Sequence, residues 1–217
     1  MKRVLLLLLV ACSPTIPYFE QVGPSCVQSQ MRIALEYFFP ERDYSQDYLD
    51  ELTGRSSNSW TWFSQAFPVL LNEGLDVYYF SSTPYFMLSP EFVVGYYGKV
   101  DGVKINSVTD WVPLYSSIDF LKSSDRFVNE KLSWSDVESF FNQGYLLLMI
   151  IDANVVDGKL GRSFAGHGVT ITDIDDTSVT YHDSVLGPNK KVGKQSFIDA
   201  WNAKGTDNDV LVVRGRI

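Results

Sequence analysis

Two short segments in the last third of the chain alternate between apolar and polar residues, the pattern of β-strands that pack one face on a core. They are residues 166–172 and 178–183, separated by a polar turn at 173–177. The residues that share the apolar face are His167, Val169 and Ile171 in the first strand and Val179, Tyr181 and Asp183 in the second. The pattern therefore predicts a β-hairpin with one histidine and one carboxylate on its core side.

The register of this hairpin follows from matching the apolar faces. Pairing the strands symmetrically about Asp175 gives the predicted pairs Ile171–Val179, Val169–Tyr181 and His167–Asp183. His182 falls on the opposite face and is predicted to lie at the surface. Taken singly, His167 is equally well explained as a structural histidine satisfied by Asp183, and Asp183 as a turn residue.

A cysteine at the predicted start of a helix supplies the third reactive group. Ser25 is a favourable N-cap, and Gln28 three residues later predicts a capping box. Cys26 then occupies the first helical position, where unpaired N–H groups and the helix dipole favour a thiolate. The alternative is a buried cysteine acting as a small apolar residue. With His167 and Asp183, Cys26 completes the nucleophile, base and orienting group of a thiol enzyme.

Composition narrows the function classes. The 217 residues are predicted to form one main domain, and the formal net charge of −8 argues against nucleic acid as a partner. Two histidines and two cysteines without paired ligand spacing predict no metal site. A glycine-rich phosphate loop is absent from the sequence, and no cofactor is predicted.

The remaining pattern indicates a mixture of helices and strands. The apolar run 145–151 is typical of a strand buried on both faces. The segment 81–131, interrupted by several prolines and glycines, has no clear secondary-structure pattern. It is interpreted either as ordinary packing or as an insertion that shapes one wall of a cleft.

The first residues are typical of an export signal. Lys2 and Arg3 precede the apolar run 4–10, which is too short to span a bilayer as a helix. The segment 9–12 resembles the lipobox of bacterial lipoproteins, which implies that Cys12 is lipidated once the leader is removed. The predicted division is a signal peptide at 1–11, a linker at 12–15 and the domain at 16–217. The expected location is extracytoplasmic and anchored to the cell membrane by lipid; the alternative is a hydrophobic first strand.

Several of these residues together resemble the papain-like cysteine peptidases of the bacteriocin-processing type and their stand-alone relatives. The family pattern is a glutamine before a helix-starting cysteine, a histidine opening an alternating strand, an aspartate soon after, and a closing aromatic–helix–tryptophan segment. The matching residues are Gln21, Cys26, the segment 166–172 with His167, Asp183, Phe197 and Trp201. The resemblance implies an α+β, papain-like fold in which the nucleophile helix of an N-terminal helical part packs against a C-terminal antiparallel β-sheet.

The resemblance also implies roles. Cys26 is the expected nucleophile, His167 the general base, Asp183 the orienting residue and Gln21 a donor to the oxyanion together with the Cys26 amide. The expected partner is a peptide or protein substrate.

The chain departs from the family pattern at three places. Val27-Gln28-Ser29 follows Cys26 where Cys-x-Pro-Ala is usual, Gln21 precedes the cysteine by five positions where six are usual, and Ser184 replaces a proline after Asp183. Two other functions therefore stay open: a peptide-binding module without catalysis, and a transglutaminase-like acyl transferase.

Overall fold

The computed structural model describes residues 15–159 and 161–217. Within these ranges the α-helices are α1 (Cys26–Phe38), α2 (Gln46–Thr53), α3 (Phe63–Asn72), α4 (Pro90–Tyr97), α5 (Lys99–Ser107), α6 (Trp111–Ser123), α7 (Trp134–Asn142), α8 (Ala153–Val156) and α9 (Lys194–Trp201). The strands are β1 (Leu75–Phe80), β2 (Phe127–Val128), β3 (Leu146–Asp152), β4 (Gly166–Ile174), β5 (Ser178–Asp183), β6 (Gly187–Gly193) and β7 (Val210–Arg216).

All seven strands belong to one sheet, in the order β2-β1-β7-β3-β4-β5-β6. Every neighbouring pair is antiparallel except β1 and β2. Helix α1 packs on β4, and α9 packs on β3, β5 and β6. The predicted α+β class, with the cysteine-bearing helix packed on an antiparallel sheet, is confirmed.

Strand β3 lies between β4 and β7 and is covered on both faces, as its continuous apolar sequence predicts. Leu148 belongs to the apolar cluster that includes residues of α1 and α3. Leu147 and Met149 belong to a second cluster on the other face, together with Trp201 of α9. At β3 the sheet is therefore a middle layer with both of its faces buried.

The hairpin of β4 and β5 forms as predicted, but the predicted register is wrong. Val169 pairs with Asp183 and Ile171 with Tyr181, and an irregularity near Thr172 shifts the register before the turn. The displacement is two residues, so the side chains stay on the predicted faces because the side-chain period of a strand is two. His167 consequently reaches Asp183 diagonally, while its own backbone pairs with Ile151 of β3.

The prediction that His182 lies at the surface is also wrong, since this side chain is only 4% exposed. It faces away from Asp183, as predicted, but that face is covered too. The His182 ring donates from Nε2 to the Ile16 carbonyl, and Nδ1 accepts from the Asn189 amide. Tyr18 packs edge-on against the ring with centroids 5.6 Å apart.

The segment 81–131, which the sequence left unassigned, contains α4, α5, α6 and β2. Its side chains contribute both to the core and to a cavity wall, through Tyr97 and Ile105. Cys12 and the predicted leader lie outside the described residues. Within the described residues, no helix is both long enough and apolar enough to cross a bilayer.

Candidate active site

Cys26 begins α1, but the predicted capping box is wrong. The Ser25 hydroxyl turns back and donates to the Val22 carbonyl at 2.9 Å, so among the described residues no side chain caps the helix. The Gln28 amide instead donates to the hydroxyls of Thr53 and Thr61. The two Gln28 contacts, with residues 25 and 33 positions away, hold the first turn of α1 from outside the helix.

The missing cap leaves N–H groups of the first turn free to act on the sulfur. The backbone amides of Val27 and Gly168 both interact with Cys26 and lower the pKa of its thiol. Gly168 lies opposite the first turn of α1, because a β-carbon at this position would be 3.6 Å from the Cys26 carbonyl carbon. The helix start and β4 thus meet directly at the cysteine.

His167 is held by Asp183. The ring Nε2 lies 2.9 Å from Asp183 Oδ1, and both side chains are buried. The same Oδ1 accepts from the amides of Val185 and Leu186, each at 2.9 Å. Burial acts to raise the pKa of the Asp183 carboxyl, but the His167 ring and these two amides outweigh it and lower the pKa below its usual range. The carboxylate is therefore ionised and fixed by three donors.

Cys26 and His167 form a coupled pair. Burial acts to raise the pKa of the Cys26 thiol, yet the interaction with the His167 ring makes the net change a lowering. Burial acts to lower the pKa of His167, but Asp183 and Cys26 together raise it to about 10. Because His167 Nε2 is hydrogen-bonded to Asp183, Nδ1 is the ring nitrogen that remains for the interaction with Cys26 Sγ. Both shifts favour a thiolate beside an imidazolium over a neutral thiol beside a neutral imidazole.

Gln21 and Ser184 connect the loop before Cys26 to the loop after Asp183. The Gln21 backbone amide donates to the Ser184 carbonyl at 3.0 Å, and the Ser184 hydroxyl donates to Gln21 Oε1 at 2.7 Å. Gln21 Nε2 donates one hydrogen to the Gly23 carbonyl, and its second hydrogen is left for another acceptor. The Ser184 hydroxyl thus fixes the orientation of the Gln21 amide.

A cavity of about 240 Å³ opens beside these groups. Gln21, Cys26 and His167 line it, and most of the remaining wall is aromatic or aliphatic. Asp207 and Asp209, from the turn between α9 and β7, also line it. The sequence did not predict the contact of Ser184 with Gln21. It also did not indicate Asp207 and Asp209, since a polar, glycine-containing turn carries no signal of the distant residues it faces.

The structure therefore brings Cys26, His167 and Asp183 into one interacting set, with Gln21 lining the same cavity. Within residues 15–159 and 161–217, no cluster of three or more histidine, cysteine, aspartate or glutamate side chains is arranged to hold a metal ion.

No family model matches this sequence, and no curated protein matches it. One similar solved structure is a candidate C39-like peptidase from Bacillus anthracis, with 12% sequence identity and a TM-score of 0.49. The alignment covers 93% of this chain and 95% of that chain. A likeness of this degree carries no argument about activity.

Proposed function

We propose that the protein is a thiol hydrolase that cleaves a peptide or another amide bond through an acyl-enzyme, with Cys26 as nucleophile. The observation that carries the proposal is the coupling of the Cys26 thiol to an imidazole whose other nitrogen is bonded to a buried carboxylate. A buried cysteine with only a packing role has no need of such partners. His167 is the proposed acid and base, and Asp183 the positioning residue.

The proposed reaction has two steps. The Cys26 thiolate attacks the amide carbonyl carbon, and the resulting oxyanion is bound by the Gln21 Nε2 hydrogen and the Cys26 amide at the helix start. The His167 imidazolium gives its proton to the departing amine, the C–N bond breaks and a thioester remains. A water molecule then loses its proton to His167 and attacks the thioester, which releases the carboxylic acid and restores the Cys26 thiolate beside the His167 imidazolium.

The reactivity of Cys26 towards iodoacetamide should therefore extend to lower pH than that of an ordinary thiol. We expect the labelling rate to fall as pH drops through the lowered pKa of Cys26, and to be half-maximal below the value of about 8.5 for free cysteine. Mass spectrometry of the Cys26 peptide measures the rate without interference from Cys12, and N-acetylcysteine is the reference thiol. Labelling that begins only above about pH 8 would contradict the proposal.

Product analysis separates the proposed hydrolysis from the other two functions. A hydrolase releases a free acid from a fluorogenic peptide-amide library, whereas an acyl transferase forms a new amide when an amine is added. If the protein is only a binding module, the wild type and Cys26→Ala bind peptide equally well and neither hydrolyses it.

Ser184 offers a test of the Gln21 role. We expect Ser184→Ala to lower kcat about 5- to 10-fold with KM little changed, because a misoriented oxyanion donor weakens the transition state more than the bound substrate. Ser184→Thr keeps the hydroxyl and should retain most of the activity. Steady-state kinetics on a cleaved peptide amide measure both constants; an unchanged kcat in Ser184→Ala would show that the Ser184 hydroxyl does not position Gln21 for the reaction.

The predicted location belongs to the same proposal. Export and lipidation at Cys12 would place the enzyme at the outer face of a cell membrane, where two anchoring signals or a diacyl chain are needed for stable attachment. Detergent partitioning of the wild type against Cys12→Ser, with the mass of the N-terminal peptide, tests it.

A further inference from the structure

The cavity beside Cys26 contains two carboxyl groups that the proposed chemistry does not use. Asp207 and Asp209 occupy the turn that ends at the start of β7, and both line the cavity. Asp207 and Asn208 have φ values of 49° and 54°, a left-handed conformation that is uncommon for residues other than glycine. Asp209 directly precedes Val210, the first residue of β7. Because side chains alternate along a strand, Asp209 points to the same face as Leu211, which belongs to the apolar cluster on the α1 side. The backbone therefore presents Asp209 on the side of the sheet where Cys26 lies.

The Asp209 carboxyl is only partly satisfied, although hydroxyl groups of Ser81, Tyr79 and Thr83 interact with it. Asp209 is only 6% exposed, and its Oδ1 has no hydrogen-bond partner within the described part of the chain. Asp207, by contrast, accepts a hydrogen bond from the Tyr97 hydroxyl. A buried carboxylate without a counter-charge is costly, and native proteins seldom keep one without a use.

The two carboxyl groups also act on each other. Burial raises the pKa of Asp209 well above its usual value, and the negative charge of Asp207 raises it further. Burial likewise raises the pKa of Asp207, although the Tyr97 hydroxyl partly offsets the change. A positive charge placed between the two groups would relieve both effects.

The walls of the cavity suit a cation. Trp60, Trp62 and Tyr97 supply aromatic faces, and among the described lining residues the only cationic group is the His167 ring. The exposed Lys104 places its ammonium 5.2 Å from the Trp60 ring centroid, so this ring already has a positive charge near it.

We propose that this cavity is a substrate subsite for a positively charged group, such as a lysine or arginine side chain or a primary ammonium, next to the bond that is cleaved. The proposal rests on the function proposed above, because it takes Cys26 as the reacting group. Asp209 would supply the ionic contact, Asp207 a second carboxylate, and the aromatic walls the surface for the aliphatic stem.

A set of small thiol reagents that share a reactive group but differ in charge tests the subsite without requiring turnover. The probes are 2-aminoethyl, methyl and 2-sulfonatoethyl methanethiosulfonate, which are cationic, neutral and anionic. In each case the Cys26 thiolate attacks the sulfenyl sulfur, a mixed disulfide forms and methanesulfinate leaves. The readout is the ratio of the cationic to the neutral rate constant at Cys26, followed by mass spectrometry in about 0.15 M salt, which screens distant charges.

We expect this ratio to exceed that of N-acetylcysteine by about tenfold or more, since a cleft lined by one sign of charge concentrates the opposite charge. Asp209→Asn should reduce the ratio to within about twofold of the reference, with a partial reduction in Asp207→Asn. The matched control is Asp199→Asn on α9, which removes the same charge from an exposed residue outside the cavity lining and should leave the ratio unchanged. Thermal denaturation of each variant shows that it is folded.

The outcomes distinguish the two proposals. A ratio no higher than that of the reference thiol, or one that persists in Asp209→Asn and Asp207→Asn, overturns the subsite whether or not Cys26 is activated. A high ratio that depends on Asp209, at a Cys26 with ordinary thiol reactivity, supports the cation site and contradicts the hydrolase. If a peptide amide is cleaved, replacing lysine by norleucine beside the scissile bond should lower kcat/KM in the wild type and much less in Asp209→Asn.

Discussion

Replacing His167 with alanine is expected to lower turnover of any cleaved amide by about 10⁴-fold or more, the scale seen when one member of a catalytic set is removed. Without the ring, the thiol loses both the hydrogen bond and the charge that lower its pKa, while the burial that raises the pKa remains. The labelling rate of Cys26 at pH 7 should fall as well, by about tenfold for each unit of pKa regained. Iodoacetamide labelling and peptide-amide hydrolysis, measured on the same preparations, check the two effects.

The chain offers a matched control in its second histidine. His182 is buried to a similar degree, 4% exposed against 9% for His167, and lies on the neighbouring strand. Its ring contacts Ile16, Tyr18 and the Asn189 amide and not the cysteine. His182→Ala should therefore cost stability but keep the activity of the folded fraction. Retention of more than about a tenth of wild-type turnover by His167→Ala would contradict the proposed mechanism.

Local sequence patterns could predict which elements form and which faces their side chains occupy. The apolar run of β3, the alternation in β4 and β5 and the helix that begins at Cys26 each appear in the structure. These predictions succeed because the periods of strands and helices determine the direction of each side chain. The meeting of His167 with Asp183 could be predicted even with the wrong register, since a shift of two residues preserves the face.

The errors arise where a distant residue competes with the local pattern. Ser25 and Gln28 satisfy the sequence rule for a capping box, but the hydroxyl turns to Val22 and the amide to Thr53 and Thr61. His182 falls on the polar face of an alternating strand, as a surface residue would, yet the segment that contains Ile16 covers it. A rule that considers only neighbouring residues cannot predict these contacts, because the partners come together only in the folded chain.

The acidic side of the cavity could not be predicted for a related reason. Asp207 and Asp209 stand in a sequence typical of an exposed turn. The hydrogen bond to Asp207 comes from Tyr97 of α4, more than a hundred residues earlier. Segment 81–131, which contains Tyr97, had no clear secondary-structure pattern, so the contact between it and the acidic turn could not be predicted from either side. The nucleophile and base were predictable from residue type and position, whereas the recognition surface depends on packing alone.

The close approach of α1 to β4 depends on the absence of a side chain at Gly168. A β-carbon there would lie 1.6 Å from Gln30 Nε2 and 2.9 Å from Gln30 Cδ. Gln30 is only 2% exposed, so its amide cannot simply turn out into solvent. We therefore expect Gly168→Ala to displace α1 from β4 and to lower kcat/KM about 100-fold, because a shift of about 1 Å between reacting groups has an effect of this size.

Two further variants show whether the contact with Gln30 is the cause. Gln30→Ala removes the overlapping atoms, so Gln30→Ala/Gly168→Ala should recover most of the activity that Gly168→Ala loses, relative to Gln30→Ala alone. Gly193→Ala is the matched control, since its nearest neighbour, Ser196 Oγ, would lie at an ordinary 3.8 Å and its φ of −59° suits alanine. The rate of iodoacetamide labelling at pH 7 provides a second readout, because a sulfur moved away from His167 regains an ordinary thiol pKa. If Gly168→Ala keeps wild-type labelling and turnover, or if removal of the Gln30 amide does not restore them, the tight contact between α1 and β4 is not what holds Cys26 against His167.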